Sequence, residues 1–197
     1  MARRLIPNLE EKILTEAIHL GSLYGANKIS TTELAMNIGI KEPTIYGRYK
    51  TKMDLLTSAY YFASTGFEAS LRVIDWDNIH ELEDFNHVWF TVLDYAINHP
   101  SETKYQVSFR KSIDYDTTMQ SGYEDYFVMI ASKIMSLDSE HKELPYLEYL
   151  RLWVYWVDMT LKFSELIITG YLPLNLRTKT LLLQLVFGEH VDMSNTH

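Results

Sequence analysis

Apolar residues recur three and four positions apart along most of the chain, and strand-like alternation is scarce, so the pattern predicts an all-α protein. An Asn8–Glu11 pair opens the first predicted helix, which runs to about Gly25 with Ile13, Leu14, Ala17, Ile18 and Leu20 facing inward. Ser30 with Glu33 three residues later reads as a capping box, in which hydroxyl and carboxylate satisfy first-turn N–H groups. Leu34, Ala35 and Ile38 give the helix that follows its apolar stripe, and Gly39 supplies a tight turn. Pro43 fits the first turn of the next helix, where its missing N–H is no loss, and Ile45 and Tyr49 repeat four apart as an inward face. Thr51 with Asp54 opens a longer helix to about Val73, and Asn78 with Glu81 another that stops at His99, before Pro100. Further helices are predicted over about 101–114, 117–137, 144–169 and 175–189, with a turn over 170–173.

Two short helices across a tight turn, followed by a third, make a helix-turn-helix. Its second helix enters the major groove with its N-terminal residues at base edges. By position Lys41, Glu42, Thr44 and Gly47 are the candidates for base contacts, and Tyr46, Arg48 and Lys52 suit phosphates. Thr31 and Thr32 can add hydroxyl contacts, and Arg3 and Arg4 read either as a minor-groove arm or as a plain terminal tail. No Gly/Ser linker follows, so the helix from Thr51 is expected to join head and body directly.

These residues resemble the N-terminal domain of the tetracycline-repressor (TetR) family of bacterial transcriptional regulators. The resemblance rests on Ile13, Leu14, Ala17, Leu20 and Gly25, then Ser30, Leu34, Ala35, Gly39 and Ile40, then Thr44-Ile45-Tyr46, Tyr49, Lys52 and Leu55. Ala26 stands where the family usually has an aromatic, Arg48 where it often has His, and Tyr49 where Phe is common. The resemblance implies an N-terminal three-helix helix-turn-helix DNA-binding domain, placed at 1–56, and a C-terminal helical bundle for ligand binding and dimerisation, placed at 57–197. It also implies a homodimer whose last two long helices pair with their symmetry mates, a small-molecule inducer held in the body, and repression as the default action.

The chain of 197 residues is long enough for a proper core, and its net charge of −8 at first argues against nucleic acid. The distribution reverses that implication. Residues 1–56 hold 8 Lys and Arg against 6 Asp and Glu, whereas the whole chain holds 18 against 26, so the acid belongs to the remainder. Between Lys41 and Lys52 four bases (Lys41, Arg48, Lys50, Lys52) face one acid, Glu42. Without cysteine there is no disulfide, thiolate metal site or cysteine nucleophile; with no export signal or apolar run of membrane-spanning length, a cytoplasmic location is expected. The histidines lack metal-ligand spacing, and neither a phosphate loop nor a nucleophile elbow occurs, so no metal, cofactor or catalysis is expected.

Large aromatics crowd the body. Trp89, Tyr95, Phe109, Tyr123, Phe127, Trp153 and Trp156, with Arg110 and Asp158 as polar groups, are the candidates to line a site for an aromatic or apolar inducer. Most aromatics at helical spacing are core, and an i,i+4 pair with Lys162 accounts equally for Asp158. Leu161, Phe163 and Leu166, with Leu181, Leu182 and Leu185, form apolar stripes suited to a dimer interface or to one chain's own core. The other reading of the chain is an adaptor that binds a small molecule or partner protein without specific DNA binding. Its motives are the acidic total and the presence of Glu42 and Gly47 on the reading helix.

Overall fold

The computed structural model describes residues 8–81, 84–112, 115, 133 and 146–187, and among these it is helical with no strand. Two compact units emerge: Met1–Gly66 with Ser101–Thr117, and Phe67–Pro100 with Thr118–His197.

In the first unit α1 (Leu9–Tyr24) buries Ile13, Leu14, Ala17, Ile18 and Leu20, the face its periodicity predicts. Its start differs from the expected capping box. Asn8 sits in left-handed geometry (φ 54°) and its side chain caps nothing, because capping needs an extended N-cap residue. Gly25, at φ 98°, ends α1 and leads into a 3₁₀ turn, Ala26–Lys28. α2 (Thr31–Asn37) follows the Ser30 cap, whose Oγ accepts from Glu33 N at 3.3 Å. Gly39, at φ 72°, turns the chain into α3 (Glu42–Tyr46), which is fastened to the core by Ile45. α4 (Lys52–Arg72) opens with both bonds of a capping box: Asp54 N donates to Thr51 Oγ1 at 3.0 Å, and Thr51 N to Asp54 Oδ2 at 2.9 Å.

The first unit also takes in most of α6 (Pro100–Arg110), which sequence places only as one more body helix. The fully buried ring of Tyr105 lies against Gly21 of α1, and its hydroxyl donates to Leu56 O at 2.8 Å. Ser108 Oγ accepts from Ala26 N at 2.8 Å. The small Ala26, where the resembled family carries an aromatic, is thus buried beside α6.

In the second unit α5 (Phe85–Asn98) starts later than Asn78. The 3₁₀ turn Trp76–Asn78 intervenes, and Asp84 Oδ2 collects the N–H groups of His80 (2.7 Å) and Glu81 (3.0 Å), which hold its carboxyl below the usual carboxylate range. α5 packs along α7 (Tyr146–Ile168), and α8 (Leu176–Phe187) follows the turn at Gly170. The segment 117–137, expected to be helical, lies outside the described residues. Among the described residues Trp89 is the largest fully buried side chain, and its indole N–H donates to Thr160 Oγ1 at 3.2 Å. Among the described residues no helix is long and apolar enough to cross a membrane, and no cluster of metal-ligating side chains occurs.

Candidate nucleic-acid interface

The outer side of α3 is set by what its inner side buries. Ile45 is fully enclosed, which leaves Lys41, Gly47, Arg48 and Lys50 exposed and Thr44 half-buried around it. A Cβ on Gly47 would meet only Pro43 O at 3.5 Å and Thr44 O at 3.6 Å, and its φ of −72° suits any residue, so the fold does not require glycine there.

A network that the sequence did not reveal joins α2 to α3. Thr31 Oγ1 donates to Glu42 Oε1, and Thr32 Oγ1 to Glu42 Oε2 at 3.1 Å. With its one proton given to Glu42, Thr31 Oγ1 can only accept at its 3.3 Å contact with the Tyr46 hydroxyl. The donors of Thr31, Thr32 and Tyr46 are therefore spent inside the head, and a phosphate would have to compete for them. Lys52 Nζ donates to Asn27 O at 2.9 Å; an ammonium has three donors, so two stay available for an anion. Asn37 Nδ2 donates to Glu16 Oε1 at 2.7 Å and fixes the far end of α2 on α1. The adjacent Ser30-Thr31-Thr32 run was the one sequence signal for these hydroxyl contacts. Arg3 and Arg4 lie outside the described residues.

Tyr49, three residues past the end of α3, is buried, yet its hydroxyl finds no hydrogen-bond partner among the described residues. Burial, then the nearby charge of Glu10, raises its pKa against the opposing effect of Arg48. Tyr49→Phe removes only an unsatisfied oxygen, so it is expected to stabilise the protein by about 1 kcal/mol, read as a higher urea midpoint; a lower midpoint would mean that the hydroxyl has a partner.

Two solved structures share this architecture. A TetR family transcription regulator from Marinobacter aquaeolei VT8 superposes with a TM-score of 0.70 at 15% identity, over 90% of this chain and 92% of its own. A TetR-like transcriptional regulator from Rhodococcus sp. RHA1 gives 0.68 at 15% identity, over 94% and 97%. The chain has the TetR-regulator fold. Among curated sequences it is 27% identical over 139 residues to the nucleoid occlusion factor SlmA of Pectobacterium carotovorum subsp. carotovorum (strain PC1), which spans 68% of each chain. No family model matches the sequence.

Within this TetR fold the ligand candidates are divided between the units. Phe109 and Arg110 belong to the first, where Arg110 Nη1 donates to the Tyr60 hydroxyl at 2.7 Å, Phe109 stacks on Tyr60, and the guanidinium lies 5.0 Å from the Tyr115 ring centre. Trp89, Tyr95, Trp156 and Asp158 belong to the second. There Trp89 is core, Tyr95 stacks on His99 at 3.9 Å, Trp156 is buried and Asp158 is exposed. Trp153 is placed on α7 by its backbone, and Tyr123 and Phe127 lie outside the described residues. A cavity of about 390 Å³ that sequence did not anticipate lies in the second unit, lined by Asp94, Ile97 and Asn98 of α5 and by Leu174, Asn175, Leu176 and Lys179. Lys179 pairs with Asp94 at its wall. Of the dimer candidates, Leu161 and Leu182 are buried in the unit's own core, and Phe163 and Leu166 are half-buried. Leu181 and Leu185 face outward at 51% and 70% exposure.

Proposed function

We propose that the protein is a ligand-responsive DNA-binding transcriptional regulator of the TetR type, a cytoplasmic repressor that binds a palindromic operator as a homodimer and leaves it when a small-molecule inducer binds. The observation that carries this is α3: five residues long, anchored by Ile45, preceded by the exposed Lys41, and presenting Thr44, Gly47 and Arg48 around its outer side. That is the geometry a major-groove reader needs, and the unrequired glycine at 47 lets the backbone approach DNA. One such head contacts too few base pairs for useful specificity, which favours a dimer. The exposed Tyr155 of α7 with Leu181 and Leu185 of α8 supports that reading, since large apolar side chains on neighbouring helices suit burial against a second copy. For the inducer, α6 supplies a route: an aromatic or apolar ligand that prefers a shifted α6 would act on α1 and α4 through Tyr105 and Ser108, and would lower operator affinity by its differential affinity for the two states.

The acidic total and the carboxylate of Glu42 beside the reading surface favour a second reading, an adaptor without specific DNA binding. Salt separates the two. Binding to a fluorescent duplex is expected to fall steeply between 50 and 200 mM salt, and Arg48→Ala is expected to reduce the log–log slope by about one. No binding at low salt, or binding indifferent to salt, favours the adaptor.

A further inference from the structure

Glu42 is the one acid between Lys41 and Lys52, and both its carboxylate oxygens are held by hydroxyls of the neighbouring helix, Thr31 on Oε1 and Thr32 on Oε2. A glutamate on a short surface helix would otherwise sample several rotamers; two bonds from α2 fix both the direction and the plane of this one. An ionised carboxylate has about four lone-pair sites, so each oxygen keeps capacity for one further donor. The side chain stays half exposed in the first turn of α3, the part of a reading helix that meets base edges.

The chemistry of DNA then narrows what such a group can meet. Phosphates repel it. In the major groove guanine offers O6 and N7, and thymine O4, all acceptors; only cytosine N4 and adenine N6 offer donors. Adenine sets its N7 acceptor beside that donor, where it opposes the second carboxylate oxygen, whereas cytosine does not. We propose that Glu42, oriented by Thr31 and Thr32, is a specificity-determining residue that selects an amino-bearing base, cytosine foremost, at one position in each half-site. This rests on the DNA-binding reading above.

The test is selection from a random duplex pool by the unsubstituted chain, Glu42→Ala, Glu42→Gln and Thr32→Val, with circular dichroism to verify folding. The unsubstituted chain is expected to enrich cytosine at one position per half-site. Glu42→Ala loses that preference by about fivefold to 150-fold, and the other positions keep theirs. Glu42→Gln, nearly isosteric and therefore informative even if the alanine variant fails to fold, moves the position toward adenine, which glutamine reads through N6 and N7. Thr32→Val weakens discrimination at the same position alone. Unchanged preferences in both Glu42 variants overturn the proposal. So does a uniform loss at every position, which marks a purely structural role, or guanine or thymine at the position that Glu42 substitution affects. If the unsubstituted chain enriches no sequence at all, the DNA-binding reading itself fails and takes this proposal with it.

Discussion

Gly21→Ala is expected to destabilise the first unit by about 1–3 kcal/mol although alanine is the better helix former. Propensity alone favours the substitution by about 1 kcal/mol. Packing opposes it, because a Cβ on Gly21 would lie 2.4 Å from Tyr105 Cδ2 and 2.5 Å from Cε2, closer than carbon atoms approach without displacement. The ring has nowhere to retreat: it is fully buried, its hydroxyl is held by Leu56 O, and Phe109 stacks on it at 6.2 Å. Something must shift, and α6 is what Tyr105 carries. Urea unfolding of Gly21→Ala, Tyr105→Leu and the double variant checks this. Tyr105→Leu is expected to cost clearly less in the Gly21→Ala background than alone, since the narrower side chain relieves the overlap. A neutral or stabilising Gly21→Ala would mean that α6 does not dock on α1 through this contact.

Trp89→Ala is expected to cost the second unit about 3–5 kcal/mol, the range for emptying the site of a large buried aromatic. Trp89 is 0% exposed, and it reaches from α5 to Thr160 of α7, whose hydroxyl also donates to Trp156 O. Trp89→Phe keeps a ring in place and leaves the Thr160 proton satisfied, so its cost is expected to fall well below that of the alanine change. Thermal unfolding of both variants reads the difference. Equal and small losses in both would show that the indole lines free space, as its place among the ligand candidates had implied, and does not fill the core.

Local signals were legible and long-range ones were not. Thr51 with Asp54, Gly39 and Ile45 each act within four residues, and the structure uses them as the sequence suggests; of the box expected of Ser30 with Glu33, only the bond from Glu33 N to Ser30 Oγ is present. The same reasoning failed at Asn8 and Asn78, because asparagine tolerates other backbone geometries as readily as the capping one. Asn8 goes left-handed, and Asn78 ends a 3₁₀ turn with its side-chain amide donating to Asp75. The docking of α6 on the head depends on Gly21 meeting Tyr105, and no periodicity reports a contact between residues so far apart in the chain.

At the candidate interface, helical position placed Glu42 among the base-contact candidates but could not show the two threonines that fix it. Among the aromatics, spacing does not separate a core residue such as Trp89 from one beside a ligand. The leucines divide for a plainer reason. Leu181 and Leu182 are adjacent in sequence and so turned about 100° apart on the helix, which puts one outside and the other in the core.

The measurement that bears most directly on the central claim is selection of binding sites from a random duplex pool at low salt, with Arg48→Ala and Lys52→Ala run beside the unsubstituted chain. The account predicts a palindrome with half-sites about one helical turn apart, bound more weakly by both variants. Failure to enrich any sequence at low salt would contradict it, and would leave the aromatic body as the part of the protein that carries its function.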